Sequence, residues 1–231
     1  LSIGTALFGA TVFLSQYMQI ARGYSPTASG LLTIPMVVAM AFASALGGKR
    51  IVRTGRYKRL MASGALLMTA GMALMGTADE TTSLVELGVF MALVGTGVGL
   101  VMQNIVVIVQ NQLEQRDIGS GSALVTFFRT LGGAAGVSLM GALLAERALK
   151  SITSGLAELG IHAPAASSGQ IPKISALPAP VANVVEHAYA TGIADIFLAA
   201  APLGVVALIA VLLLHEHPLG TRSGIEIARA R

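Results

Sequence analysis

The feature that most constrains this chain is where its charges are not. Six stretches, 1–21, 23–48, 60–78, 87–113, 118–145 and 196–214, contain one charged residue between them, Arg129. Each is long enough, or nearly so, to cross the hydrocarbon core of a bilayer as a helix, which takes about 20 residues. Charged residues make up 11% of the chain, whereas a soluble domain carries about 25% because its surface must face water. Membrane β-strands would alternate in polarity over about 10 residues, and residues 31–38 do not alternate. The predicted fold class is therefore all-α integral membrane, with spans at about 1–20, 28–47, 60–78, 86–111, 120–145 and 191–214.

Basic residues set the orientation. The segment 48–59 holds six of the 15 Lys and Arg residues and no acid, which by the positive-inside rule makes it cytoplasmic. Alternation then puts 22–27, 79–84 and the long loop 146–190 outside, and 112–119 and the tail 215–231 inside, with ten basic residues inside and four outside. This bias accounts for the net charge of +4 without a nucleic-acid partner. In the long loop, Leu149, Ile152, Leu156 and Leu159 recur at three- and four-residue spacing, the pattern of an amphipathic interfacial helix over 147–159. Pro164, Pro172, Pro178 and Pro180 then argue against regular structure. The chain starts at Leu1 with no charged flank or cleavage site, so the expectation is a fragment lacking an upstream half, not a signal peptide.

Glycine and a few polar residues stud the apolar stretches. Gly95 to Gly99 and Gly132 to Gly136 have GxxxG spacing, which lets helix backbones approach closely where lipid gives no hydrophobic drive for association. The first of these lacks the GxGxxG order and a preceding strand, so it is not a phosphate loop. In the fourth span Thr96, Gln103 and Gln110 are separated by sevens, as are Asn104 and Asn111. Seven residues turn a helix through roughly 700°, so each series keeps nearly one face. The first span carries Ser2, Thr5, Gly9, Gln16 and Gln19 with Tyr17 beside them. Such stripes either bond between helices or line a shared polar path, and both spans should turn them away from lipid.

Arg129, about ten residues into the fifth span, either anchors the inner end of the bundle or handles substrate or protons. Glu86 and Asp195 stand near outer span ends, where a carboxylate is either simply solvated or titrates in proton coupling. His215, Glu216 and His217 lie where a helix leaves the membrane, with no third ligand, and read as a polar helix end. There are no cysteines, no GxSxG and no HExxH, so no hydrolase, protease or metal centre is expected and no cofactor is implied.

The residues Phe13-Leu14-Ser15-Gln16-Tyr17-Met18-Gln19, Gly23-Tyr24-Ser25-Pro26, Ala28-Ser29-Gly30-Leu31-Leu32 and Pro35 resemble the first span and outer turn of the C-terminal half of drug:proton antiporters in the 14-span branch of the major facilitator superfamily. Phe128-Arg129-Thr130-Leu131-Gly132-Gly133 to Gly136 is similar to that branch's penultimate helix. Gly48, Arg53, Gly55 and Arg56 match the superfamily's cytoplasmic signature loop, in which Val52 replaces the usual acid and puts a gating role in doubt. The resemblance implies a six-helix bundle of two inverted three-helix repeats, at 1–78 and 84–214, in the bacterial cytoplasmic membrane. It implies the C-terminal half of a proton-coupled multidrug efflux transporter, partnered by a missing N-terminal half, the lipid bilayer, protons and a small amphipathic drug-like substrate. Gln16, Tyr17, Gln19, Thr96, Gln103, Asn104 and Gln110 are the expected cavity residues. The competing reading is an autonomous six-span channel or scaffold whose stripes meet at subunit interfaces.

Overall fold

A computed structural model describes residues 1–161 and 177–214, the side chains of Val52, Asn111 and Gln112 excepted. The tail with His215 and His217, and Pro164 and Pro172, lie outside the described residues. Helix α1 (Ser2–Gln16) runs into a π-helical turn, Tyr17–Ala21, and is followed by α2 (Pro26–Leu32), α3 (Ile34–Thr54), α4 (Lys58–Met75), α5 (Leu84–Gln112), α6 (Ile118–Glu158) and α7 (Ala179–Leu213). The described chain is helical throughout, without strands. Four helices, Pro26–Ile51, Leu84–Gln110, Ile118–Glu158 and Ala179–Leu213, are long and apolar enough to cross a membrane. The first and third neutral stretches also form helices, but α1 has 15 residues before its π turn and α4 has 18 that begin with Lys58 and Arg59.

Local chemistry marks the boundaries. Gly23 and Gly55 take φ of 66°, a left-handed conformation that only glycine adopts cheaply. At Gly55 the N–H returns to the Ile51 carbonyl at 2.8 Å and closes α3. Ser25 caps α2 by accepting from Ala28 N at 3.3 Å, with Pro26 in the first turn, where its missing N–H costs nothing. Ser83 and Glu86 form a reciprocal capping box on α5. Thr33 breaks the second span and Pro35 restarts it as α3.

Three elements run past the expected limits. α3 continues through Thr54, so most of the basic segment is helix and only residues 55–57 turn; Arg53 thereby sits in the last turn, at the negative end of the helix dipole. The helix expected over 147–159 exists, but as an unbroken extension of α6 to Glu158 and not as a separate interfacial helix. No proline interrupts α6, and its extension is covered by an equally early start of α7 at Ala179. Gly155 lies so close to Val184 that a Cβ there would come within 2.6 Å of Val184 Cγ1.

Helix α1 packs on α6, α3 on α5, α4 on α5 and α7, and α6 on α7. At three of these contacts backbone meets backbone; between α4 and α5, a Cβ on Gly97 would overlap the Gly64 carbonyl oxygen and the Met68 nitrogen. A Cβ on Gly95 or Gly99 of α5 would overlap the carbonyl oxygens of Met36 and Met40 on α3, and one on Gly4 of α1 would overlap the Arg129 carbonyl on α6. Thr5 Oγ1 ties the latter pair by donating to the Gly132 carbonyl at 2.8 Å. Between them the core holds Phe13, Leu14, Tyr17 and Phe197 with eight of the ten methionines.

Because a new Cβ at Gly95 has to displace main chain and not a side-chain tip, Gly95→Ala should destabilise the bundle by about 1–3 kcal/mol. Gly30→Ala, in α2 with open space around it, should be neutral. Thermal unfolding in detergent checks the pair, and equal stability of the two variants would sink the close-contact account.

Candidate functional site

The apolar spans leave a concave surface on α1, α3, α5 and α6. One recess, of about 230 Å³, is lined by Ile3 and Gly4 of α1, Met102 and Ile105 of α5, and Val125, Phe128 and Arg129 of α6. A second, of about 160 Å³, is lined by Met40, Ala41 and Ser44 of α3 and Gly99, Met102 and Gln103 of α5. Met102 belongs to both, so the recesses adjoin along α5. Met40 and Met102 are the two methionines that the core does not bury. Their unbranched thioethers can re-form around ligands of different shape.

The expected polar stripe of α5 divides. Gln103 and Gln110 are exposed and Thr96 is half-buried, and Gln110 Nε2 donates to Ser122 Oγ on α6 at 3.3 Å. Asn104 was expected beside Gln103 on the cavity wall, but it is fully buried and turned toward α3 and Gly47. The physical reason is that one residue rotates a helix by roughly 100°, enough to pass from the open face to the core. Its amide nitrogen donates to the Leu100 carbonyl within its own helix, and its Oδ1 has no partner among the described residues. Asn111 is not described.

On α1, Gln16 is half-buried, and Gln19 is half-buried on the π turn with Nε2 donating to Ser15 Oγ at 2.9 Å. Tyr17 is also corrected: it is 1% exposed and its hydroxyl donates to the Asp79 carbonyl, so it fastens α1 to the α4–α5 turn and does not line a cavity. Arg129 borders the larger recess, half-buried and without an ion pair among the described residues. Gly48 is half-buried with open space around it, and Arg53 and Arg56 are exposed at the α3–α4 turn.

The carboxylates near the span ends are engaged. Glu86 closes the α5 capping box, and Asp195 pairs with Arg147 at 2.8 Å. The α4–α5 turn is stapled on two sides, by Arg22 donating to the Glu80 and Thr82 carbonyls and by His187 Nδ1 at 3.0 Å from Glu80 Oε1. The His187 hydrogen bond holds the Glu80 carboxyl below its usual range. Asp79 Oδ1 accepts from the hydroxyls of Thr81 and Thr82 and from the Thr81 N–H, and its pKa is lowered from 3.8 to about 2. These staples were not foreseen, because nothing local in 76–83 names its distant partners Tyr17, Arg22 and His187.

A helical bundle with four helices long and apolar enough to cross a membrane, and a recess across α1, α3, α5 and α6, fits a polytopic membrane protein. Residues 1–137 match the Major Facilitator Superfamily. The chain belongs to that superfamily. It is 37% identical over 217 residues to an uncharacterised MFS-type transporter of Mycobacterium tuberculosis, covering 94% of this chain and 31% of that protein. It is 33% identical to the multidrug transporter protein MdtP of Bacillus subtilis over 68% of this chain and 28% of that one. It is 27% identical to a tetracycline resistance determinant of Streptomyces rimosus over 60% of this chain and 40% of that one. The chain thus spans about a third of the length of the curated relatives it matches.

Two measurements follow. Asn104→Val removes a buried acceptor that makes no bond, so stability should change by less than about 1 kcal/mol, whereas Asn104→Asp buries a charge and should prevent accumulation in the membrane. Similar expression and melting of Asn104→Asp and the native chain would refute the buried placement. Asp79 and Glu80 have lowered folded-state values, so the stability they give is complete above the ordinary carboxylate range and is lost as pH falls through the lowered value. Carbon-detected NMR should find the Asp79 carboxyl titrating near 2, not 3.8, and moving back upward in Thr81→Val.

Proposed function

We propose that this chain is the C-terminal six-span half of a proton-coupled multidrug exporter of the 14-span branch, working by alternating access in the bacterial cytoplasmic membrane. Its N-terminal half would close the recess from the opposite side. The pairing of helices supports two inverted repeats. Exchanging α1 with α5, α3 with α6 and α4 with α7 carries the α1–α6 contact onto α5–α3 and α1–α7 onto α5–α4, and leaves α1–α5 and α4–α7 in place; these six contacts exist, while α6–α7 and α5–α6 have no counterpart of similar extent in α3–α4 and α1–α3. A pseudo-two-fold arrangement of this kind puts the working surface on the first two helices of each repeat.

The observation that carries the reading is the recess itself. It lies on α1, α3, α5 and α6, it is apolar and methionine-lined, and it offers the exposed amide of Gln103 at one edge and the guanidinium of Arg129 at the other. A small amphipathic substrate is held there by burial of apolar area, with Gln103, and Gln16 and Gln19 nearer the outer end of α1, supplying hydrogen bonds that fix its orientation. Rocking of the two halves about this midplane surface exposes it alternately to each side, with 55–57 as the cytoplasmic turn. The carboxylates in the spans of this half, Glu86 and Asp195, stand at span ends and are engaged in a helix cap and a pair with Arg147, so this reading assigns the proton-carrying acid to the other half. The drug-related names of two relatives support efflux as the direction.

In the complete transporter, Gln103→Ala combined with Met102→Ala should change the ranking of exported drugs while leaving the protein folded, with transport of the best substrate falling about tenfold, the equivalent of roughly 1.4 kcal/mol of binding. Unchanged efflux of a broad dye and drug panel would remove the recess from the pathway. Robust proton-driven transport by the isolated 231-residue chain in liposomes would favour an autonomous six-span protein instead.

A further inference from the structure

Among the side chains that line the recess on α1, α3, α5 and α6, Arg129 carries the one charge. We propose that the recess selects amphiphiles that end in a carboxylate, with the Arg129 guanidinium reading the charge and the apolar lining holding the body. This names the substrate class of the site described above and rests on the reading of the recess as a substrate site.

The walls of the recess leave that charge uncompensated. A guanidinium stays ionised at any physiological pH, and setting it among apolar groups is costly unless an opposite charge or a set of acceptors meets it. Arg129 is half-buried, and its side chain makes neither an ion pair nor a hydrogen bond among the described residues. Helices α1 and α3 contain no acid. On α5, Glu86 is held in the capping box at the far end of the helix. On α6 the preceding acid, Asp117, stands 12 positions before Arg129 and is paired with Arg116 at 3.6 Å. Twelve residues of helix span about 18 Å, beyond the reach of an arginine side chain.

The remaining lining suits the body of an acidic amphiphile. Ile3, Met102, Ile105, Val125 and Phe128 share the recess with Arg129 and offer apolar surface. In the adjoining recess the polar side chains are Ser44 and Gln103, both neutral and without a hydrogen-bond partner among the described residues. They serve a neutral group at the other end of the ligand. A cation meets a charge of its own sign here, and a neutral molecule leaves the guanidinium without a counter-charge, whereas a carboxylate accepts two of its N–H groups at once. Side chains on a helix lean toward its N-terminus. In the orientation given above, Arg129 therefore leans toward the cytoplasmic end of α6, where an amphiphilic acid presents its head to water and its body to hydrocarbon.

The test uses the full-length polypeptide that carries this chain, purified in neutral detergent near neutral pH, and three fluorescent probes on one scaffold: pyrenebutanoate, its methyl ester and pyrenebutyl trimethylammonium. Titration of probe fluorescence gives the three affinities. Charge-assisted hydrogen bonds to a half-buried guanidinium should favour the acid over the ester by about tenfold, with the ammonium weakest. Arg129→Gln should bring the acid down to the level of the ester, and Arg129→Lys, which keeps the charge and loses the planar fork, should restore part of the preference. Equal affinity for acid and ester, a preference for the ammonium, or a preference for the acid that survives Arg129→Gln would each overturn the proposal. So would equal weakening of all three probes in both variants, which is what a purely structural arginine predicts. The ranking on the native protein needs no variant, so a substitution that prevents folding leaves the test intact. Binding of none of the probes would remove the recess as a substrate site together with this proposal, whereas a ranking led by the ester or the ammonium overturns the charge selection alone.

Discussion

Main chain pressed against main chain is the constraint on which the rest of this bundle depends. In water the burial of apolar faces would hold seven helices together, but between lipid-facing helices that drive is largely absent and close van der Waals contact has to replace it. The α1–α6 crossing at Gly4, Thr5 and Gly132, the α3–α5 crossing at Gly95 and Gly99 and the α4–α5 crossing at Gly64 and Gly97 supply it. The first two of these crossings join the four helices that bear the recess. Its shape is therefore set by the places where side chains are missing, and the flexible methionines at its rim are free to adapt because they do not hold the helices apart.

Much of this was legible in the sequence because the energies involved are large. The cost of placing charge in hydrocarbon separates the apolar stretches from the charged connectors between them. Less legible were the lengths of α6 and α7. Charge spacing marks where a helix can remain in lipid and says nothing about where it stops being a helix, so 147–159 read as a separate interfacial helix and not as the end of α6.

The candidate site was legible in residue types and less so in direction. Gln103 and Asn104 carry almost the same side chain one position apart, yet one is exposed and the other fully buried. Only the partner helix decides which, and Gly47 on α3, lying against Asn104, is 57 positions away in the chain. Tyr17 failed for a similar reason. A tyrosine near two glutamines suggests a ligand contact, but its acceptor, the Asp79 carbonyl, comes from a turn that no local pattern connects to α1.

On the proposed reading, the placement of acids suggests how labour is divided between the halves. Asp79 is held by two threonines, Glu80 by His187, Glu86 by its own capping box and Asp195 by Arg147. All four are engaged at an outer end of the bundle, and Asp79 and Glu80, whose affinity for the proton is lowered, not raised, are poor proton carriers near neutral pH. What remains within the membrane of this half is amide, hydroxyl, thioether and one guanidinium. Those groups recognise and orient a ligand without exchanging protons, so substrate fit and proton exchange are physically separable, with the first assigned to these helices and the second to groups that face them.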